Sequence, residues 1–527
     1  MHGPAVPQFI PMLKGDMLVK ILFVNPIHHP HSMNFLHCLD IVGVKYSHMP
    51  LSLPTLAALT PPDIAVELID ENVEPVPSGS DADIIALSGS VPQRDRVFEL
   101  ADEFRRQGKL VALGGPITFD MLEQCKEHAD VVFIGEGEYT WPAFLDDFRQ
   151  GRHKALYHQQ EWINMEDSPV PRFELLKSGQ YASGCIQVTR GCPCRCDFCD
   201  IPIKYGGAPR SKKIGQVLDE IRALSRLGND SIFIVDDNFA GNRPYAKALL
   251  KAIAALLPTL PTRMYFYTQA TLDVANDEEL LELLQAARFL RLFIGIETGD
   301  KARLRELNKR HQTGMDIKAA CETIRSYGIT VWAGIMFGLE GDDVASFDKQ
   351  VEFILDTNFI PVQVGLLQAV PGTPLHKRAV EENRFVTLPS LYGLTALSEE
   401  DISKGTNLVP RNMKMEELER NFARVLRVMF SPEAFKVKMF QYIGSNTRSM
   451  MKSLPALNLK TIMILVRMFS YFLFRADRAT RKMFFQVLGY LISHRLRHLD
   501  EAVFHLLAYK HIRAHYYKIA EICEARR

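Results

Sequence analysis

Thr189-Arg190-Gly191-Cys192-Pro193-Cys194-Arg195-Cys196-Asp197-Phe198-Cys199-Asp200 is the stretch from which the rest of the chain reads outward. Cys192, Cys196 and Cys199 form a CxxxCxxC pattern, with Phe198 before the last cysteine. Three thiolates on one short loop can hold three irons of a cubic [4Fe–4S] cluster, for which Cys is the usual ligand. The fourth iron then has no protein ligand and stays open to a small molecule. A zinc site is the competing reading, but zinc wants four ligands in paired Cys or Cys/His spacing, and no fourth partner is evident. Cys194, inside the motif, reads as a bystander.

Around the loop the text alternates short apolar runs with amphipathic ones. Strands are predicted at Ile186–Thr189, Ser231–Val235, Met264–Tyr267, Leu292–Ile296, Val331–Met336 and Val362–Leu367, with helices such as Ile214–Leu227 and Asp277–Ala287 between them. Six such units over residues 185–375 predict a partial (β/α)6 barrel of α/β class, with its chemistry at the carboxyl ends of the strands. The unusual residues fall at those ends: the cysteine loop, Asp236-Asp237-Asn238, Thr268-Gln269, Glu297-Thr298, Gly338-Leu339-Glu340 and Pro371-Gly372.

Upstream, residues 1–17 read as a loose tail, and residues 18–155 predict a doubly wound parallel sheet. Its strands are expected at Lys20–Val24, Ala65–Ile69, Ile84–Ser88, Leu110–Leu113 and Val131–Ile134, with helices over Val97–Gln107 and Phe119–Glu127. Ligands of such sheets bind at the carboxyl strand ends. There stand Ser88-Gly89-Ser90, Gly114-Gly115-Pro116 and Gly135-Glu136-Gly137-Glu138, with His28, His29 and His31 in the loop after the first strand. Residues 156–184, with their prolines and no clear period, read as a linker. Residues 376–527 lose the alternation and predict helices at Met413–Phe430, Lys460–Phe474, Ala479–Leu496 and Glu501–Glu521.

The chain has 527 residues, 47% hydrophobic and 24% charged, with a formal net charge of +0, so it is long enough for several folded domains and its overall charge selects no partner. From Glu433 to Arg527, however, 17 Lys and Arg stand against 6 Asp and Glu, interleaved with aromatic residues. A basic amphipathic surface of this kind suits a peripheral contact with anionic membrane. No nucleic-acid recognition module is visible. Nine scattered cysteines and no secretory signal pattern predict a reducing, cytoplasmic setting.

The cysteine loop after the first barrel strand resembles the radical SAM superfamily. The resemblance implies that S-adenosylmethionine chelates the open iron and is cleaved reductively to a 5′-deoxyadenosyl radical. It puts Asp236, Asp237 and Asn238 where the methionine amino group is contacted, Glu297 where the ribose is bound, and Gly338, Glu340, Pro371 and Gly372 where adenine is flanked. The Ser-Gly-Ser, Gly-Gly-Pro and Gly-Glu-Gly-Glu turns resemble a cobalamin-binding domain, which implies cofactor contacts at Ser88, Gly114, Gly115, Gly135 and Glu136. The Asp-x-His-x-x-Gly pattern that supplies a histidine to cobalt in many such domains is absent. Asp200–Arg210, Val235–Gly241 and the helical tail narrow the resemblance to the cobalamin-dependent subgroup that includes the hopanoid C-2 methylases.

What this implies is methylation of an unactivated carbon on a large hydrophobic molecule, a hopanoid-like lipid or a tetrapyrrole, with electrons from a flavodoxin- or ferredoxin-like donor. A radical cyclase, oxidase or coupling enzyme without methyl transfer is the second reading. A non-enzymatic zinc-binding scaffold is the third.

Overall fold

The computed structural model describes residues 19–386, 405–445, 459–494 and 499–525. They form two compact units, one running through Ile27 and from Pro50 to Leu176, the other combining His28–Met49 with the chain from Lys177 onward. In chain order the first strands are β1 (Lys20–Asn25), β2 (Tyr46–His48), β3 (Ala65–Asp70), β4 (Ile84–Ser88), β5 (Leu110–Gly114), β6 (Val131–Ile134) and β7 (Leu156–His158). They are followed by β8 (Tyr181–Ile186), β9 (Thr189–Arg190), β10 (Arg210–Ser211), β11 (Ser231–Ile234), β12 (Tyr265–Ala270), β13 (Phe289–Glu297), β14 (Thr330–Phe337) and β15 (Val362–Leu366).

The first unit is the predicted doubly wound sheet, with parallel strands in the order β3-β1-β4-β5-β6-β7. Its central strands are continuous apolar runs because helices cover both faces. The helix Arg94–Arg106 shows how: Val97, Leu100, Ala101 and Phe104 fall on one stripe, and all four are buried. Two details differ from expectation. The helix predicted over Phe119–Glu127 breaks at Met121 into Ile117–Asp120 and Leu122–His128. The predicted linker opens with β7, whose three residues are too few to show a period.

The second unit carries a curled, half-barrel sheet of parallel strands in the order β15-β14-β13-β12-β11-β8-β2. Six of these are the predicted barrel strands. The first of them starts earlier than expected, at Tyr181, and ends at Ile186; Thr189–Arg190 instead pairs antiparallel with β10. The seventh strand, β2, comes from the segment assigned by sequence to the first domain and pairs with β8 as Tyr46↔Tyr181 and His48↔Ser183.

Helices Met415–Met429, Pro432–Ser445, Leu459–Ser470, Arg478–His494 and Leu499–Glu524 complete the unit. Pro432–Ser445 goes beyond the predicted set, although Phe435, Met439, Tyr442 and Ile443 carry its spacing. Phe472, Phe484, Tyr442 and Met439 form a buried core with Cys38 and Ile41 of the excursion. Most of the aromatic content of the tail is therefore core. Phe474 and Phe485 are exceptions, 78% and 45% exposed. No helix among the described residues is long and apolar enough to cross a membrane.

Candidate active site

The cysteine loop hangs from a two-residue hairpin in which Arg190 pairs with Arg210 and Thr189 with Ser211. Gly191 starts the loop at φ 92°, and a Cβ there would lie 2.7 Å from the carbonyl of Gly206 and 2.9 Å from that of Ala208, so only glycine fits. Neighbouring turns fix the far side. The amide of Asp197 donates to Leu307 O at 3.0 Å, Leu375 N donates to Asp197 O at 3.0 Å, and Asn308 Nδ2 donates to Arg195 O at 2.8 Å. Arg378 adds an ion pair to Asp197 at 3.1 Å.

The three motif cysteines lie together on this loop, partly or fully buried. Burial pushes the Cys199 thiol up to about 12, whereas a hydrogen bond from Cys194 brings Cys192 down to about 7 despite its burial. Among the described residues no three His, Cys, Asp or Glu side chains converge on a point as ligands of one ion would. A cubane holds its ligands on separate corners, so the trio suits a cluster better than a single zinc ion.

The next strand ends bring Asp236, Asp237 and Asn238 beside the loop, but the three are not equivalent. Asp236 is fully buried and accepts from Val188 N at 2.7 Å, Thr189 N at 2.9 Å and Thr189 Oγ1 at 2.8 Å. Its carboxyl, raised to about 7 by burial and restrained by these donors, fixes the strand entering the cysteine loop. Asp237 is half-buried and raised to about 6 by burial, with the Gly191 amide opposing the shift. Asn238 contacts Cys192, is 3% exposed, and its Oδ1 has no hydrogen-bond partner. An orphaned buried acceptor beside the cluster loop fits a ligand that brings a donor.

Glu297 ends β13 at φ 63°, where the register with β14 slips. This conformation is rare for a residue with a side chain. It directs the carboxylate onto Lys309 Nζ at 2.6 Å, both residues being buried. Burial alone would lower the Lys309 pKa, but Glu297 and Cys196 hold the ammonium above its ordinary value. The same ammonium lies 5.9 Å from the Phe198 ring. Gly295 leaves room for this pair, since a Cβ there would lie 2.9 Å from Lys309 Nζ. Sequence reasoning missed Lys309, which belongs to no motif.

Glu340 departs further from its expected place beside adenine. It binds Arg378 at 2.8 Å, Arg411 at 3.3 Å and also Arg384, which makes it the hub of an ion-pair network. Gly338, at φ 69°, instead leaves space for Leu418, whose Cδ1 would lie 2.9 Å from a Cβ. Pro371 and Gly372, the latter at φ 85°, form the turn before the helix Pro374–Glu381, which Thr373 caps.

In the first unit the strand order reverses direction between β1 and β4, the switch point where ligands of such sheets bind. Ser88 lies at this edge, its Oγ 3.2 Å from Ser52 Oγ. Gly89 N donates to Gly114 O at 3.1 Å. A Cβ on Gly115, at φ 93°, would lie 2.6 Å from Gly89 O. The result is a shelf of bare backbone that a bulky ligand can approach. Gly135, at φ 97°, lies against Gln159. Glu136 turns away from its expected cofactor role: it accepts from Gln159 Nε2 at 2.6 Å and Ile163 N at 3.2 Å and so ties down the following chain. The loop histidines also depart from expectation. His28, His29 and His31 belong to the second unit, where His28 stacks on Tyr46 and His31 O accepts from His511.

A half-barrel of parallel strands with three cysteines on the loop after its first interior strand defines a radical SAM enzyme, and the profile of the radical SAM superfamily matches residues 186–354. A second profile, a domain of unknown function (DUF4070), matches residues 373–526. The chain is 34% identical over 372 residues to an uncharacterized methyltransferase of Synechocystis, spanning 70% of this chain and 69% of the relative. It is 32% identical over 383 residues to the hopanoid C-2 methylase of Rhodopseudomonas palustris, spanning 71% and 72%. In architecture it is similar to the cobalamin-dependent S-adenosylmethionine radical enzyme OxsB, with a TM-score of 0.61 at 16% identity, over 96% of this chain and 80% of that one. The chain belongs to the cobalamin-dependent radical SAM methyltransferase family.

Proposed function

We propose that this protein methylates an unactivated carbon of a large hydrophobic substrate, a hopanoid-like lipid ahead of a tetrapyrrole. The 32% identity with the hopanoid C-2 methylase, which extends over most of both chains, carries this reading. Cys192, Cys196 and Cys199 would hold the cluster, and the glycine shelf at Gly89, Gly114 and Gly115 would admit cobalamin. When bound, the cluster and S-adenosylmethionine supply a hydrogen-abstracting radical, and cobalamin supplies the methyl group.

The chain's own contribution is positioning. Asn238 Oδ1 is available to accept from the methionine amino group, and Asp236 fixes the strand that presents the cysteines. The Glu297–Lys309 pair keeps a positive charge beside Cys196, which favours its thiolate form.

Two partners complete the proposal. The remaining cysteines, Cys38, Cys125, Cys185, Cys321 and Cys523, are dispersed single thiols, so electrons come from an external flavodoxin- or ferredoxin-like protein. The helical tail rests on anionic lipid through Ile462, Val466 and Phe474, which are 43%, 62% and 78% exposed. Between residues 459 and 494 six Lys and Arg stand against one Asp, a charge balance that complements such a surface.

The test is product analysis of the anaerobically reconstituted protein with reductant and candidate lipids. Methyl transfer yields S-adenosylhomocysteine and 5′-deoxyadenosine together. Deoxyadenosine alone would replace the proposal with a radical reaction lacking methylation. A deletion strain that retained its methylated hopanoids would remove that substrate and leave the tetrapyrrole.

A further inference from the structure

At the end of the half-barrel opposite the cysteine loop lies a cavity of about 230 Å³. It touches each strand within its first three residues: Ser183 on β8, Ser231 on β11, Tyr267 on β12, Arg291 on β13 and Trp332 on β14. Phe35 of the excursion and Phe504 of the last helix close it. The lining is mainly apolar, but two donors stand in it without partners. Trp332 is 4% exposed and its Nε1 has no hydrogen-bond partner. Arg291 Nε is likewise buried and unpartnered, and the Arg291 guanidinium stacks 3.5 Å from the Phe504 ring centroid. The other polar groups do not answer them: the Tyr267 hydroxyl and Ser183 Oγ bond to each other at 2.8 Å.

Unmet donors in an apolar cavity select a ligand that brings an acceptor. Charge narrows the choice. Glu501 lies 3.6 Å from Arg291 and already balances it, so the vacancy suits a neutral oxygen rather than a carboxylate. Size narrows it further. At interior packing density, about 0.74, the cavity holds roughly 170 Å³ of ligand, about eight to ten heavy atoms in an aliphatic group.

Further along the strands the lumen is thinned by three glycines. Gly295 and Gly334 are register partners, and beside Gly365 no atom lies within 4 Å of a would-be Cβ. Arg291 is six residues from Glu297, about 20 Å along a strand.

We propose that this cavity is a binding site for the far end of the substrate, a slim aliphatic group bearing a carbonyl or hydroxyl oxygen that accepts from Trp332 and Arg291. As a subsite for the methylated molecule it rests on the function proposed above; as a binding site it does not. A substrate anchored here and reacting beside the cluster would be about 20 Å long, with its reactive carbon remote from its polar end.

The test is calorimetric titration of the full-length holoenzyme with octan-2-one and, separately, octanoate. The ketone is expected to bind, and octanoate to bind at least fivefold more weakly. Trp332→Phe, which keeps the ring and removes the donor, is expected to weaken ketone binding about fivefold, and Arg291→Met similarly. Trp162→Phe, at a residue 47% exposed in the first unit, is expected to change nothing. Trp332→Phe keeps the test decisive should Arg291→Met fold poorly. Absence of ketone binding, binding indifferent to Trp332→Phe, or tighter binding of octanoate would overturn the proposal. Ketone binding by a protein that transfers no methyl group would retain the site and remove the proposed function. Methyl transfer without ketone binding would do the reverse.

Discussion

Lys309 is the residue on which the barrel-end electrostatics turn. Its ammonium is buried with Glu297 at 2.6 Å, and removing one member of such a pair leaves an uncompensated charge inside the protein. Lys309→Met is therefore expected to destabilise the second unit by about 3 kcal/mol in denaturant unfolding, more than truncating a surface lysine would. The double variant Lys309→Met/Glu297→Gln should recover much of that loss, because no lone charge remains buried. A double variant no more stable than the single one would show that Glu297 is satisfied elsewhere. At this scale the sequence revealed ligands and concealed partners. The cysteines lie within eight residues, a local pattern that needs no fold to be read. Lys309 meets Glu297 through a positive-φ turn twelve residues earlier, and the arginines around Glu340 come from 38 to 71 residues away. Side chains brought together only by the fold leave no such spacing to find.

The cysteine loop works as an element because its ends are pinned. Gly191→Ala would place a methyl group against two carbonyls at a φ that alanine resists, so a destabilisation of at least about 1 kcal/mol is expected. Reconstituted iron content should fall severalfold, while Cys194→Ala, which leaves the three motif thiols in place, should keep most of it. Normal iron in Gly191→Ala would mean that the loop adapts freely. The helix Leu459–Ser470 makes a separate prediction. Val466→Asp combined with Phe474→Asp should cut co-sedimentation with phosphatidylglycerol vesicles about tenfold, and raised salt should weaken the parent protein as well. Retention on neutral phosphatidylcholine vesicles equal to that on anionic ones would contradict the charge argument. Elements were legible where periodicity ran long enough. Strands such as β4 and β6 stood out as apolar runs. β2 and β7, three residues each, carry too few residues to declare a period.

On the scale of the whole molecule, the chain crosses from the first unit to the second at Ile27, returns at Pro50 and crosses again after Leu176. A sequence divides most naturally into consecutive domains, so the excursion His28–Met49 reads as a loop of the first domain. Only the pairing of β2 with β8 and the packing of Cys38 and Ile41 among the C-terminal helices assign it to the second. The second unit is thus incomplete without a segment that lies more than a hundred residues before its main body. This makes an interior residue of the excursion a probe of which unit depends on it. Ile41 is 2% exposed, and Ile41→Ala removes three carbons from that core, a change expected to cost about 3 kcal/mol. Hydrogen exchange should then quicken in β8 and in the helix Leu499–Glu524, while β4, β5 and β6 of the first unit keep their protection. Equal loss of protection in both units would mean that they unfold as one cooperative body. Loss confined to β4, β5 and β6 would return the excursion to the domain in which its sequence position suggests it belongs.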